Sequence, residues 1–155
     1  MNIQQRNNVC IRGQGDELIM FAHGFGSSQQ TWQYVLPAFI EQSRVLLFDY
    51  VGAGNSDYSA YSTERYSTLD GYVQDVIDII DHYELAQITF VGHSISGVIG
   101  MLASLQRPDA FKKLIMIGSS ACYLNDEGYK GGFHQEELDV LFQMETRIRP
   151  CRIAD

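Results

Sequence analysis

The sequence has few basic residues and no long hydrophobic run. Only 11 Lys and Arg stand against 19 Asp and Glu in 155 residues, which gives a formal net charge of −8. A surface of that sign repels phosphate backbones and anionic lipid headgroups, so we expect neither nucleic acid nor a membrane as a partner. No apolar stretch approaches the roughly 20 residues needed to cross a bilayer, and the N-terminus has no signal-peptide core.

Cysteine is also scarce, and the three cysteines, Cys10, Cys122 and Cys151, lie far apart. Their spacing matches neither a disulfide framework nor a zinc site. We also predict no other metal and no cofactor. An odd number of separated cysteines is typical of a reducing compartment, and we expect a cytoplasmic protein. Hydrophobic residues make up 45% of the chain, which allows one packed domain at this length.

Short apolar segments alternate with longer segments of helical period. The apolar segments occur at about residues 17–23, 44–51, 88–93 and 113–119, and they are continuously apolar rather than alternating. Strands buried on both faces have this pattern, because helices cover both sides of a parallel sheet. The alternation of strands and helices predicts an α/β fold, with a mainly parallel sheet and helices on both faces.

The clearest helix is predicted within STLDGYVQDVIDIIDHYEL, residues 67–85. Its apolar residues form one stripe at the helical period. Four carboxylates lie largely opposite that stripe, and we expect them on the solvent side: Asp70, Asp75, Asp78 and Asp81.

The candidate reactive residue, Ser94, is the centre of GHSIS, where the third predicted strand meets a helical pattern. A serine on a sharp strand-to-helix turn adopts strained backbone angles that push its hydroxyl above the sheet. Only small residues fit two positions before and after such a serine. Gly92 meets this demand fully and Ser96 approximately, with Gly97 beside it. The alternative is an ordinary turn that contains an incidental serine.

A second motif, HGFG at residues 23–26, follows the first predicted strand. In a fold with a nucleophile elbow this loop donates one amide of the oxyanion hole, here that of Phe25. The helix that begins after the reactive serine aims the Ile95 amide at the same oxygen. His23 and Phe25 are also candidates for lining a substrate pocket. Taken alone, the motif is a glycine turn that ends a strand.

The loop DYVGAGNS, residues 49–56, invites comparison with a dinucleotide-binding loop. The third glycine of that motif is absent, and no helix follows directly. We therefore interpret the segment as a structural loop and reject nucleotide binding.

Taken in order, these stretches resemble the α/β-hydrolase fold family. The resemblance covers about residues 5–146 and is carried by FAHGFGSSQQTW, LFDYVGAGNSD, TLDGYVQDV, FVGHSISGVIGMLASLQRPDAFKKLIMIGSSACYLND and YKGGF. Within the family it is strongest to RsbQ-like bacterial stress-signalling hydrolases and to the plant karrikin and strigolactone receptors. A serine at the position of Ser96 is usual in the plant members.

The resemblance implies a site and a function. Ser94 would be the nucleophile, the amides of Phe25 and Ile95 would form the oxyanion hole, and a helical lid would begin near CYLND. The implied substrates are small hydrophobic ester- or lactone-like compounds, and the implied partner is a signalling phosphatase. A non-catalytic ligand-sensing or partner-binding module is the alternative. We expect a partial hydrolase core over 1–146, in which about 121–146 begin the lid.

No histidine or aspartate of the catalytic triad is assigned in this chain. In this fold the order is Ser, then Asp, then His, each after later strands. His93 adjoins the nucleophile and is expected to point away, and His23 belongs to the oxyanion loop. His82 ends a helix at the opposite edge of the sheet. His134 lies in the beginning of the lid and is the one histidine that could swing near Ser94.

The last residues, RIRPCRIAD at 147–155, no longer resemble the family. We interpret the chain as a truncated product with the C-terminal strands missing and with foreign or out-of-frame residues after Thr146. A genuine short homologue with a polar tail is the alternative. An uninterrupted natural reading frame through Asp155 would count against truncation.

This interpretation predicts that the 155-residue chain has no meaningful hydrolase turnover. Without a base, a serine hydroxyl is a weak nucleophile near neutral pH. The measurement is ester hydrolysis by the purified chain and by Ser94→Ala. Hydrolysis that disappears in Ser94→Ala would contradict the prediction.

Overall fold

The computed structural model describes residues 2–148, with side chains as far as residue 143. The predicted non-matching tail, 147–155, therefore lies almost wholly outside the described residues. The chain divides into two compact units, residues 1–119 and 120–155. The assignment of about 121–146 as the beginning of a lid stays a prediction. Within the described range, no helix is long and apolar enough to cross a membrane.

A five-stranded sheet forms the centre of the first unit. Its strands are β1 (Cys10–Arg12), β2 (Glu17–Ala22), β3 (Ser43–Leu47), β4 (Ile88–His93) and β5 (Phe111–Ile117). They lie in the order β1-β3-β2-β4-β5, and all neighbours are parallel except β1, which pairs antiparallel with β3. The predicted mainly parallel sheet and its four predicted strands are confirmed. The edge strand β1, only three residues long, was not predicted.

The described helices are α1 (Ile3–Arg6), α2 (Pro37–Ile40), α3 (Thr63–Tyr66), α4 (Leu69–His82), α5 (Ile95–Gln106) and α6 (Gln135–Ile148). Short 3₁₀ turns occupy Gln29–Trp32, Tyr58–Ala60 and Pro108–Ala110. Of these helices, α6 belongs to the second unit, whose loop contains the bridges Leu124–Phe133 and Asp126–Tyr129.

Both faces of the three inner strands β2, β3 and β4 are buried, which explains their continuous apolar sequences, whereas the edge strand β5 is largely exposed. On one face Met20 and Phe90 pack with residues of α4 and α5, among them Ile80. On the other face Phe21 and Val91, each the next residue along its strand, pack in a second cluster around Trp32. Successive side chains of a strand point to opposite faces, so a strand covered on both sides needs apolar residues at every position.

The strand order brings three loops to the same edge of the sheet. The strand β4 lies between β2 and β5, and the carboxyl ends of parallel strands meet at one edge. The HGFG loop follows β2, Ser94 follows β4, and Ser119 follows β5 shortly after its last residue. The two sequence motifs are therefore neighbours in the fold.

One expectation for α4 is wrong, because Asp75 is fully buried rather than on the solvent side. Its carboxylate accepts hydrogen bonds from the Arg65 guanidinium at 2.9 Å, the Tyr66 hydroxyl at 3.0 Å and the side-chain amide of Asn7 at 3.2 Å. The Arg6 guanidinium lies 3.3 Å away. Buried charge of this kind is tolerated because it is paired and hydrogen-bonded.

Asp78, one turn along α4, belongs to the same cluster. It accepts hydrogen bonds from Arg6 at 2.7 Å, Arg65 at 3.0 Å and Gln74 at 2.8 Å. Burial alone would raise the pKa of Asp78, but these hydrogen bonds and the Arg6 charge lower it below its ordinary 3.8. A carboxyl whose pKa is lower in the folded state stabilises the fold near neutral pH, and that contribution is lost as the pH falls through the folded pKa.

Replacing Asp75 by Asn should lower the free energy of unfolding by about 3 kcal/mol, because two guanidinium groups lose their buried counter-charge. Asp70→Asn is the matched control on the exposed side of α4. It should cost about 0.5 kcal/mol, the scale of a surface charge near a helix N-terminus. Urea denaturation of both variants tests the difference, and equal losses would show that the buried cluster has no special role.

Candidate active site

Ser94 occupies a strained corner between β4 and α5. Its backbone angles are φ 55° and ψ −127°, a region that residues other than glycine rarely adopt. The residue is half-buried, and its hydroxyl forms no hydrogen bond with residues 2–143. The structure therefore presents this serine as the sequence motif requires, outside the packed core.

Backbone groups of Ser94 are held by the end of β5 and by the first turn of α5. The Ser94 N–H donates to the Ile117 carbonyl at 2.8 Å. The Ser94 carbonyl accepts from the Ser119 hydroxyl at 2.6 Å and from the Gly97 N–H at 3.0 Å. Strain of this type costs about 1–3 kcal/mol and persists only where the surroundings enforce it. These three hydrogen bonds provide that enforcement.

Glycine is required on both sides of the corner. A Cβ on Gly92 would lie 2.6 Å from the Gly97 nitrogen and from the Ser96 carbonyl oxygen, and a Cβ on Gly97 would collide with the Ser119 side chain. The close approach after Ser94 is therefore made at Gly97, while Ser96 is accommodated. The buried Ser96 hydroxyl donates a short hydrogen bond to the His23 carbonyl. Sequence reasoning missed this link between the two motifs.

The HGFG loop lies directly against the corner. A Cβ on Gly24 would come within 3.3 Å of the Ser94 Cβ and 2.7 Å of the His93 Nδ1 atom. A side chain at this position would displace the exposed His93 ring and crowd the Ser94 Cβ, so glycine favours this close approach of the loop backbone to the serine. Phe25, the next residue, is 47% exposed. The structure thus brings together Ser94 and the loop that carries the Phe25 amide.

His23 is buried beneath this loop, at 2% exposure. Its Nδ1 atom lies 2.8 Å from the Gly24 carbonyl oxygen, and its Nε2 atom lies 3.3 Å from the Tyr50 N–H nitrogen. Because Nε2 accepts from Tyr50, the proton is on Nδ1, which donates to Gly24. Burial lowers the pKa of His23, while the Gly24 hydrogen bond and the Asp49 charge oppose that shift. Its role in lining a pocket stays a prediction.

The loop over 49–56 is organised by the buried carboxylate of Asp49. That carboxylate accepts hydrogen bonds from the backbone N–H groups of Gln29 at 2.7 Å and Asn55 at 2.9 Å. It also accepts one from the side-chain amide of Asn8 at 2.8 Å. Its Oδ1 atom lies 3.9 Å from Nε2 of His23. The structural interpretation of this loop agrees with these contacts, because the glycine-rich segment closes around its own aspartate.

His93 and His82, the other histidines of the first unit, form no hydrogen bond with Ser94 within the described residues, and the approach of His134 to Ser94 stays a prediction. His93 is exposed beside Gly24, and His82 is exposed at the end of α4. His134 is exposed in the second unit. Across residues 2–148 no histidine ring is hydrogen-bonded to a carboxylate. The described part of the chain therefore brings the Ser94 corner and the HGFG loop together, and the contact of His23 with Asp49, at 3.9 Å, does not include the Ser94 hydroxyl.

A family model described as the alpha/beta hydrolase fold matches residues 17–146. The chain belongs to the α/β-hydrolase fold family. The strigolactone esterase RMS3 of Pisum sativum is 48% identical to it over 136 residues, which are 87% of this chain and 51% of that protein. The Karrikin insensitive 2 receptor CA of Petunia hybrida is 43% identical over 141 residues, 91% of this chain and 52% of that protein.

Among solved structures, a hydrolase from Oleispira antarctica superposes on this α/β-hydrolase chain with a TM-score of 0.87 at 39% identity. The superposition covers 92% of this chain and 53% of that structure. The chain spans about half the length of the curated relatives it matches. The predicted family is confirmed, and the partial coverage fits the expected N-terminal portion of the fold.

Gly92→Ala should destabilise this α/β-hydrolase unit by about 3 kcal/mol, because the new Cβ meets backbone atoms that have no room to move. Gly26→Ala is the control, since Gly26 has φ 65° and no atom within 4 Å of an added Cβ. It should cost only the backbone strain, about 1 kcal/mol. Chemical denaturation compares the two variants, and a tolerated Gly92→Ala would refute the steric account of the corner.

Proposed function

We propose that this chain carries the nucleophile and the oxyanion hole of a serine hydrolase that acts on small hydrophobic esters or lactones. The observation that carries the proposal is the corner at Ser94, with φ 55° and ψ −127°, against the backbone of Gly24. A strained, half-buried serine with an unbonded hydroxyl has no evident structural purpose, whereas an attacking oxygen needs that placement.

In the proposed reaction the Ser94 hydroxyl attacks the carbonyl carbon of the ester or lactone and loses its proton to a base. The carbonyl π electrons move to oxygen, and the resulting oxyanion accepts hydrogen bonds from the N–H groups of Phe25 and Ile95. Collapse of this intermediate re-forms the carbonyl and expels the alkoxide, which takes up the proton. Water then hydrolyses the acyl-serine in the same two stages, which frees Ser94.

The environment of the corner supports an apolar substrate. Phe25 is the exposed aromatic residue of the HGFG loop and would lie next to the reacting carbonyl. The N-terminus of α5 points at the oxyanion position and favours negative charge there. Two relatives are named strigolactone esterases, which supports ester chemistry as the reaction class.

For the biological role we propose stress signalling in the cytoplasm, as in RsbQ-like hydrolases, with a signalling phosphatase as partner. The resemblance of the motifs supports this role, and the well-separated cysteines support the compartment. The second candidate function is a ligand-sensing module without turnover. Two observations favour that candidate: the relative named as a karrikin receptor, and the absence, among residues 2–143, of a histidine hydrogen-bonded to the Ser94 hydroxyl.

Labelling by a fluorophosphonate probe, followed by intact-mass analysis, tests the proposed nucleophile. We expect one probe adduct on the wild-type chain, no adduct on Ser94→Ala, and an unchanged adduct on Ser104→Ala, a serine whose hydroxyl bonds to its own helix. Adding the C-terminal half of a relative should accelerate labelling if that half supplies the base.

Equal labelling of wild type and Ser94→Ala would refute the proposed nucleophile. The ligand-sensing alternative makes the opposite prediction, namely binding of a hydrophobic lactone that persists in Ser94→Ala without any adduct on the wild-type chain.

A further inference from the structure

We propose that His23 and Ser119 are positioning residues that direct the two amides of the oxyanion hole. Each side chain donates a hydrogen bond to the carbonyl oxygen of the peptide group whose N–H forms the hole. The inference rests on the proposed function and names the residues that would orient the N–H groups of Phe25 and Ile95 towards the oxyanion.

The argument begins with the shape of the peptide group. A trans peptide is planar, so its C=O and its N–H point in opposite directions. The Gly24 carbonyl and the Phe25 N–H belong to one such group, and the Ser94 carbonyl and the Ile95 N–H belong to another. No cis peptide occurs in the described range. A donor that holds either carbonyl therefore fixes the direction of the N–H on the other side.

His23 holds the first carbonyl. Its Nδ1 atom lies 2.8 Å from the Gly24 carbonyl oxygen. Nε2 accepts a hydrogen bond from the Tyr50 N–H, so the ring proton is on Nδ1. The ring is buried, so the Gly24 carbonyl is drawn towards the interior, and the Phe25 N–H faces away from it. Glycine imposes little restraint on its own peptide, so this hydrogen bond supplies the restraint.

The ring itself cannot easily turn. The Tyr50 ring meets it edge-on with centroids 5.2 Å apart, and the Asp49 carboxylate lies 3.9 Å from Nε2. The Ser96 hydroxyl holds the His23 carbonyl, which fixes the preceding peptide of the loop. Both the ring and the backbone of His23, the residue that would orient the Phe25 N–H, are therefore held in place.

Ser119 holds the second carbonyl. Its hydroxyl donates to the Ser94 oxygen at 2.6 Å, beside the Gly97 N–H that donates to the same oxygen at 3.0 Å. The Ile95 N–H on the other side of that peptide then points out of the start of α5. A hydrogen bond to a carbonyl also polarises the amide, which makes its N–H a stronger donor. Because the helix already restrains this peptide, the effect of Ser119 should be smaller than that of His23.

Four variants test the inference through the rate of Ser94 phosphonylation by a fluorophosphonate. His23→Leu removes the donor and keeps an apolar side chain, whereas His23→Asn retains an N–H donor close to the position of Nδ1. Ser119→Ala removes the second donor, and its control is Ser120→Ala, whose hydroxyl donates to the Cys122 carbonyl.

We expect His23→Leu to slow labelling at least about tenfold, since deleting an oxyanion donor outright costs about 10²–10³-fold. His23→Asn should recover most of the wild-type rate. Ser119→Ala should slow labelling about threefold, the scale of one neutral hydrogen bond, and Ser120→Ala should leave the rate unchanged. In NMR spectra the Phe25 amide proton should shift on phosphonylation in wild type and His23→Asn, and the shift should be lost in His23→Leu.

Equal rates and equal amide shifts in wild type and His23→Leu would overturn the inference while leaving the proposed nucleophile intact. Labelling that survives in Ser94→Ala, or no labelling of wild type, would overturn the proposed function and the inference with it. If His23→Leu fails to fold, the imidazole ¹⁵N spectrum of the wild-type chain decides, because a proton on Nε2 rather than Nδ1 would overturn the role of His23.

Discussion

The strained backbone of Ser94 is the constraint on which the rest of the site depends. A residue at φ 55° and ψ −127° stores about 1–3 kcal/mol, and relaxation would turn its side chain away from the sheet edge. Hydrogen bonds from the end of β5, at Ile117 and Ser119, oppose that relaxation. The glycine at 92 removes the steric obstacle on the other side. The placement of the Ser94 hydroxyl therefore depends on both β4 and the end of β5 rather than on the motif alone.

Buried polar groups of the first unit also hold the HGFG loop beside Ser94, through a network of hydrogen bonds. Asn7 donates to Asp75 in the ion cluster at 3.2 Å and to the Asp49 carbonyl at 3.1 Å. The residue after Asp49, Tyr50, donates through its backbone to His23, which holds Gly24. A continuous series of hydrogen bonds thus runs from the ion cluster on α4 to the HGFG loop. Buried networks of this kind fix geometry where apolar packing alone would permit several arrangements.

Much of this arrangement could be predicted from the sequence, and the exceptions have a common cause. Continuous apolar runs indicated the parallel strands, and the GHSIS segment indicated the corner, because both signals are local. The burial of Asp75 was missed because its partners Arg6 and Asn7 lie 69 and 68 residues away in the sequence. Helical periodicity shows which positions are polar, but not whether a polar side chain finds a buried partner. Ser119 was missed for the same reason, because its link to Ser94 spans 25 residues and depends on the pairing of β4 with β5.

Ser96 shows how a departure from a motif can strengthen a site. The rule that asks for a small residue two positions after the nucleophile reflects close packing of the helix start, and here that packing occurs at Gly97, against Ser119. Residue 96 is thereby free to carry a hydroxyl, and the hydroxyl donates to the carbonyl of His23. Glycine at this position would satisfy the steric rule and lose the side-chain hydrogen bond that joins the corner to the loop. The serine therefore couples the proposed nucleophile to the amide that would stabilise its product.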